Sequence, residues 1–145
     1  MTKGAVIYEK GSPDVFKWEN INVPDPKFDE VLIKNTAVGV NYIDTYHRRG
    51  MPHPWPVPDL PVVLGIEGVG IVEDIGSDII DFKKGDRVAY ALPPHGAYSE
   101  KRVYPAKKII KVPNDLKNLS ENDIAALKLK GLTAQVLLKR TEEVK

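Results

Sequence analysis

Two short stretches hold the side chains that could do chemistry. One is Val38-Gly39-Val40-Asn41-Tyr42-Ile43-Asp44, and the other is Gly65-Ile66-Glu67-Gly68-Val69-Gly70. In each, an apolar strand-like run carries one polar residue, Asn41 or Glu67, beside a glycine. Glycine next to a strand permits positive φ or close approach of another backbone, so two such places with polar groups can border a cleft. A side-chain amide such as that of Asn41 and a hydroxyl such as that of Tyr46 can each donate a hydrogen bond. The alternatives are that Asn41 caps the turn that follows it and that Tyr46 fills core space. Lys130 and Thr133, in Leu129-Lys130-Gly131-Leu132-Thr133-Ala134, offer an ammonium and a hydroxyl, although such residues on a helix face often serve only as solvated surface. Glu67 reads as a strand residue held by hydrogen bonds, and Asp44 with Arg48 as a helical i, i+4 pair. His47, His53 and His95 are too scattered to form a ligand set.

The elements that must position these residues read first as β and then as helix. Lys3 to Glu9 and Val15 to Val23 form a strand pair around the turn Lys10-Gly11-Ser12-Pro13-Asp14. Glu30 to Val40 alternates as a long strand with Val31, Ile33 and Asn35 on one face, and Asn41 to Gly50 reads as a short helix closed by glycine. Met51 to Pro61 carries prolines at 52, 54, 56, 58 and 61, which predicts an extended surface loop. Strands follow at Val62 to Ile75, Arg87 to Leu92, Ala97 to Tyr104 and Lys108 to Val112, spaced as in a barrel or sandwich. Ser120-Glu121-Asn122-Asp123 is a capping box opening the helical C-terminal part, and Leu132 to Leu138 continues it. The expected fold class is α+β, mainly β with short helices, without parallel βαβ units.

Length and composition bound the function. A chain of 145 residues with 42% apolar side chains can bury a real core as one domain. Its 21 basic and 20 acidic residues leave a net charge of +1, so no block advertises nucleic acid or an anionic membrane as partner. The sequence has no cysteine, which removes disulfides and thiolate zinc sites and fits a reducing, cytoplasmic location. The N-terminal residues lack signal-peptide character, and no apolar run approaches the ~18 residues of a membrane span. The expectation is a soluble cytoplasmic protein.

Four motifs, taken in order and spacing, resemble the N-terminal part of the medium-chain dehydrogenase/reductase superfamily. They are Val38 to Asp44, Leu64 to Gly70, Lys84-Gly85-Asp86-Arg87-Val88 and Leu129 to Ala134. Among the branches the sequence is most similar to the zinc-free NADPH:quinone oxidoreductases, the group that includes zeta-crystallin. The resemblance implies a co-chaperonin (GroES)-like, partly open β-barrel over residues 1–118, and helices over 119–145 that lead toward a Rossmann domain. It gives Asn41 and Tyr46 catalytic roles at the nicotinamide and substrate end of the cleft. It also gives Asn41, Lys130 and Thr133 contacts with the cofactor. Zinc-dependent members carry a catalytic cysteine where this chain has Asn41 and a histidine where it has Ile66, so the resemblance implies no metal.

A nucleotide-binding domain needs a Gly-x-Gly-x-x-Gly turn from strand to helix, and Gly65-x-x-Gly68-x-Gly70 is not that turn. The implied reading is therefore the substrate-side domain of a larger reductase, either a piece of a longer enzyme or the product of a truncated gene. In the complete enzyme the cofactor would be NADPH and the substrate a quinone, and the assembly leaves room for a homodimer. Two other readings stay open: a non-enzymatic remnant or binding module, and a zinc-free reductase of enoyl or enone substrates. Alone, the chain is expected to bind NADPH weakly and to lack turnover, because the pyrophosphate and ribose contacts belong to the other half.

Overall fold

The computed structural model describes residues 1–51, 56–116 and 118–141. Pro52 to Trp55, part of the expected proline-rich loop, lie outside the described residues. Among the described residues eight strands and two α-helices follow one another: β1 (Thr2–Ile7), β2 (Lys17–Ile21), β3 (Glu30–Gly39), α1 (Tyr42–Arg49), β4 (Val62–Val63), β5 (Glu67–Ile75), β6 (Arg87–Tyr90), β7 (Lys101–Pro105), β8 (Ile109–Lys111) and α2 (Glu121–Val136). Helix α2 runs on into a π-helical turn, Leu137–Thr141.

The strands form two sheets, β2-β1-β4 and β7-β3-β5-β6-β8, and every pairing between them is antiparallel. The result is the open, mainly β arrangement that the period-two runs predict, with no parallel βαβ crossover among the described residues. The expected strand from Val62 to Ile75 is broken in two. Gly65 takes φ +87°, which turns β4 into one sheet and β5 into the other. The expected strand from Ala97 narrows to β7. Before it, Tyr98 and Ser99 tie the two sheets through Ala5 N–H to Tyr98 C=O and a Gly4–Ser99 bridge.

The main core lies on the inner face of the larger sheet, where Val31, Ile33, Val72, Val88, Tyr90 and Tyr104 are buried. Asn35 shares that face as expected: its amide donates to the Ala97 and Ser99 carbonyls and accepts from the Tyr90 hydroxyl. Burying an amide costs little when all its groups are paired in this way. A bulge between Asn35 and Ala37 then shifts the register of β3 against β5, and Gly39 ends the strand opposite Glu67.

Two devices fix α2 on the barrel. Ser120 Oγ accepts from Asp123 N–H at 3.1 Å while the Asp123 carboxylate accepts from Ser120 N–H at 3.0 Å, the reciprocal cap that the sequence predicts. Arg87 of β6 then grips the Glu121 carboxylate and the Leu119 carbonyl. Ala125, 2% exposed, packs with Val69, Ala89 and Val112 in a second small core. The rest of the helix exposes large apolar side chains, among them Leu127, Leu132 and Val136.

Candidate functional site

The start of α1 shows why Asn41 is available for chemistry. Asn41 is the N-cap by position, with extended backbone (φ −121°, ψ 150°). Its backbone N–H donates to Asp44 Oδ2 at 2.9 Å, and Asp44 N–H donates to the Asn41 carbonyl at 3.0 Å. Backbone and Asp44 thus do the capping, and the Asn41 side chain turns away from the helix. Its Nδ2 donates to Glu67 Oε2 at 2.8 Å, and its Oδ1 accepts from Lys130 Nζ at 3.0 Å.

Glu67 is the centre of this arrangement. It is fully buried at the first position of β5. Besides Asn41, its Oε2 accepts from Lys130 Nζ at 3.0 Å, and its Oε1 accepts from the Leu129 backbone N–H at 2.7 Å. A buried carboxylate is tolerated when its lone pairs meet donors and a cation, and here all three donors come from the two elements that must be joined, the β3–α1 junction and α2. The carboxylate reaches them because residue 39 is glycine. A Cβ on Gly39 would stand 2.3 Å from Glu67 Oε2 and 2.9 Å from the Ala125 carbonyl.

A second buried carboxylate sits behind Asn41. Asp44 is 4% exposed, and its Oδ2 also accepts from the Tyr98 hydroxyl at 2.6 Å. Burial raises the Asp44 pKa, against the Tyr98 and Asn41 hydrogen bonds that lower it. The same burial, with the Asp44 carboxylate beside it, pushes the Tyr98 phenol far up. The expected Asp44–Arg48 pair is replaced: Arg48 donates to the Gly11 carbonyl at 2.6 Å, while Tyr98 and the Asn41 N–H hold Asp44. Lys128, half-buried on α2, is held at about 8 by desolvation, with Glu67 pulling the other way.

An open groove of about 530 Å³ lies between α1 and α2, lined by Asn41, Tyr42, Ile43, Lys130, Thr133 and Leu137 among others. Three of the four residues expected from the sequence, Asn41, Lys130 and Thr133, therefore share one groove. Tyr46 is outside its lining; its ring meets Tyr42 edge-on with centroids 5.1 Å apart. The Thr133 hydroxyl donates to the Leu129 carbonyl at 2.9 Å, which leaves its oxygen lone pairs toward an N–H donor. The groove thus offers N–H donors from Asn41 and Lys130 and an acceptor at Thr133, set in apolar walls. Catalytic zinc does not fit this arrangement. The position a zinc-binding histidine would need is the buried Ile66, and Glu67 Oε2 already faces an ammonium and an amide N–H.

Sequence reasoning placed Glu67 correctly as hydrogen-bonded but missed that its partners are the site residues themselves. It also missed Gly39, Asp44 and Tyr98 as supports. The Asn41-x-x-Asp44 spacing was a readable sign of helix capping from the aspartate side. Nothing in the local sequence marks Tyr98, which arrives from another sheet segment 54 positions away.

Two open antiparallel sheets with a helix-bounded groove at one end define a class, and the comparisons agree with it. Residues 27–114 match the alcohol dehydrogenase GroES-like domain, and the chain belongs to that family within the medium-chain dehydrogenase/reductase superfamily. It is 51% identical over its full length to a 2-haloacrylate reductase from a Burkholderia species and 44% identical to a quinone oxidoreductase of Pseudomonas aeruginosa. In both cases it spans 43% of the relative's length. Among solved structures it superposes on Escherichia coli quinone oxidoreductase complexed with NADPH with a TM-score of 0.89 at 38% identity, covering 99% of this chain and 42% of that one. No helix of the described residues is long and apolar enough to cross a membrane.

Proposed function

We propose that this chain supplies the substrate-side wall of a metal-independent, NADPH-dependent reductase of quinones, with Asn41, Lys130 and Thr133 facing the nicotinamide and the acceptor. The observation that carries this reading is the joint grip of Glu67 Oε2 on Asn41 and Lys130 at the mouth of the groove. It orients an amide and an ammonium as donors toward one space, and donors aimed at an oxygen that gains charge are what a carbonyl reduction needs. The Thr133 oxygen suits the N–H of a nicotinamide carboxamide, and a bound reduced nicotinamide would supply the hydride. Tyr46 is assigned a supporting role behind Tyr42 at the substrate end.

The identity to a 2-haloacrylate reductase supports a second reading with the same residues, in which the acceptor is an activated alkene conjugated to a carbonyl. The two readings differ only in what the groove admits. The test is NADPH oxidation by the complete open-reading-frame product with a panel of quinones, enones and 2-haloacrylates. Turnover with one class, lowered at least tenfold by Asn41→Ala, is expected. No turnover with any acceptor would refute the reading and leave a non-enzymatic binding module. For the 145-residue chain alone we expect NADPH binding weaker than about 100 μM, since a few hydrogen bonds of about 1 kcal/mol each cannot offset fixing a dinucleotide.

A further inference from the structure

We propose that Lys130 is the proton donor of the reaction, a catalytic role distinct from holding the cofactor; the proposal rests on the reductase reading above. Lys130 and Tyr42 are the titratable side chains lining the groove among the described residues. Two of the three ammonium N–H bonds of Lys130 are committed, to Asn41 Oδ1 and Glu67 Oε2, each at 3.0 Å. Two fixed bonds on a tetrahedral nitrogen fix the direction of the third, which has no acceptor among the described residues. The side chain is half exposed, at 50%, while its anchor Glu67 is fully buried. One end of the pair is therefore rigid, and the other touches solvent and can be reprotonated. Tyr42 has no comparable anchor, being 72% exposed.

The chemistry requires such a group. Hydride addition to a quinone or to the β-carbon of an enone moves a π pair onto the carbonyl oxygen and leaves an oxyanion. That oxygen forms an O–H bond as a Lys130 N–H bond breaks, the N–H pair stays on nitrogen, and the neutral amine takes a proton from water. The products are a hydroquinone or an enol that ketonises, and the oxidised nicotinamide; atoms and charge balance. Proton transfer from a positioned ammonium to an oxygen that gains charge is general-acid catalysis, and it requires the donor within hydrogen-bond reach of that oxygen. Asn41 keeps a separate task. Its Oδ1 accepts from Lys130 and one N–H donates to Glu67, so the second N–H is the group left to hold the oxygen in place while Lys130 protonates it.

Lys130→Arg tests the role because guanidinium keeps the cation and its N–H donors but does not give up a proton in proteins. In the complete enzyme the variant is expected to lose about 100-fold or more in kcat at saturating NADPH, with a solvent deuterium isotope effect that exceeds the wild-type value. A kcat within twofold of wild type would overturn the proposal alone. A wild-type enzyme inactive on every acceptor would remove it together with the reductase reading. A readout free of turnover uses the 145-residue chain and the anion of 2-hydroxy-1,4-naphthoquinone, a stable mimic of the oxyanion. Titration should shift the Lys130 ε-carbon NMR signal, and the Asn41 side-chain amide signal with it through its own N–H bond to the oxyanion. Shifts confined to other residues would contradict the assignment of the third N–H.

Discussion

Replacing Glu67 by glutamine changes neither the shape nor the volume of the side chain, only its capacity to accept. Three donors converge on its two oxygens: Leu129 N–H on Oε1, and Asn41 Nδ2–H with Lys130 Nζ–H on Oε2. A glutamine offers one oxygen and one NH₂ group. Turned one way, the NH₂ faces Leu129 N–H; turned the other, it faces the amide and the ammonium. At least one buried donor loses its partner at about 1–3 kcal/mol, and the surviving bonds lose their charge assistance, about 1 kcal/mol more. Lys130, half exposed, recovers hydration, so little is added for the lost ion pair. The expected cost is about 2–4 kcal/mol, or roughly 6–12 °C in melting temperature for a domain of this size. Calorimetry at pH 7 on the wild type and Glu67→Gln measures it, and Leu129 amide exchange should quicken in the variant. A loss below about 0.5 kcal/mol, the range of an ordinary surface change, would refute Glu67 as the junction of sheet and helix.

Gly39→Ala should also destabilise, by about 1–3 kcal/mol in denaturant unfolding, because its Cβ meets Glu67 Oε2 at 2.3 Å. Combined with Glu67→Ala the two costs should fall short of their sum, and strict additivity would show that the clash is not with Glu67. His95 is pushed down to about 4, chiefly by burial, then by His47 and Arg102 beside it. The unfolded chain therefore takes up this proton first as pH falls, and stability should decline from about pH 6.5 to about 4. His95→Gln should flatten that part of the pH–stability curve, and an unchanged slope would remove His95 as its source. Leu132→Lys with Leu137→Lys should reduce concentration-dependent association in sedimentation velocity, since both side chains are about half exposed, one on α2 and one on the π-helical turn after it. Equal association in the variant would place the contact elsewhere.

What the sequence made legible follows from how local each feature is. Strand alternation in β3 and the Ser120 cap of α2 depend on neighbours within a few residues, and both appear where expected. The break at Gly65 was hidden because an apolar run looks the same whether it continues in one sheet or crosses to another. Asn41, Lys130 and Thr133 were identified through motifs, yet their meeting place was set by Glu67, which was read as structural. It is structural, and that is how it organises the groove: one side chain spans separations of 26 and 63 residues to Asn41 and Lys130. The Asp44–Arg48 expectation failed because helical spacing counts only partners on the same helix, whereas Tyr98 and Gly11 come from outside it. Tyr46 sits one turn from Tyr42, and period alone could not say which of the two rings lines the groove.

The most direct test of the central claim is a crystal structure of the complete protein with NADPH bound. The account predicts the carboxamide beside Thr133 and the reactive face of the nicotinamide toward Asn41 and Lys130, with Glu67 still bonded to both. A nicotinamide ring bound away from the groove between α1 and α2, or a Glu67 carboxylate released from Asn41 and Lys130 in the complex, would contradict it.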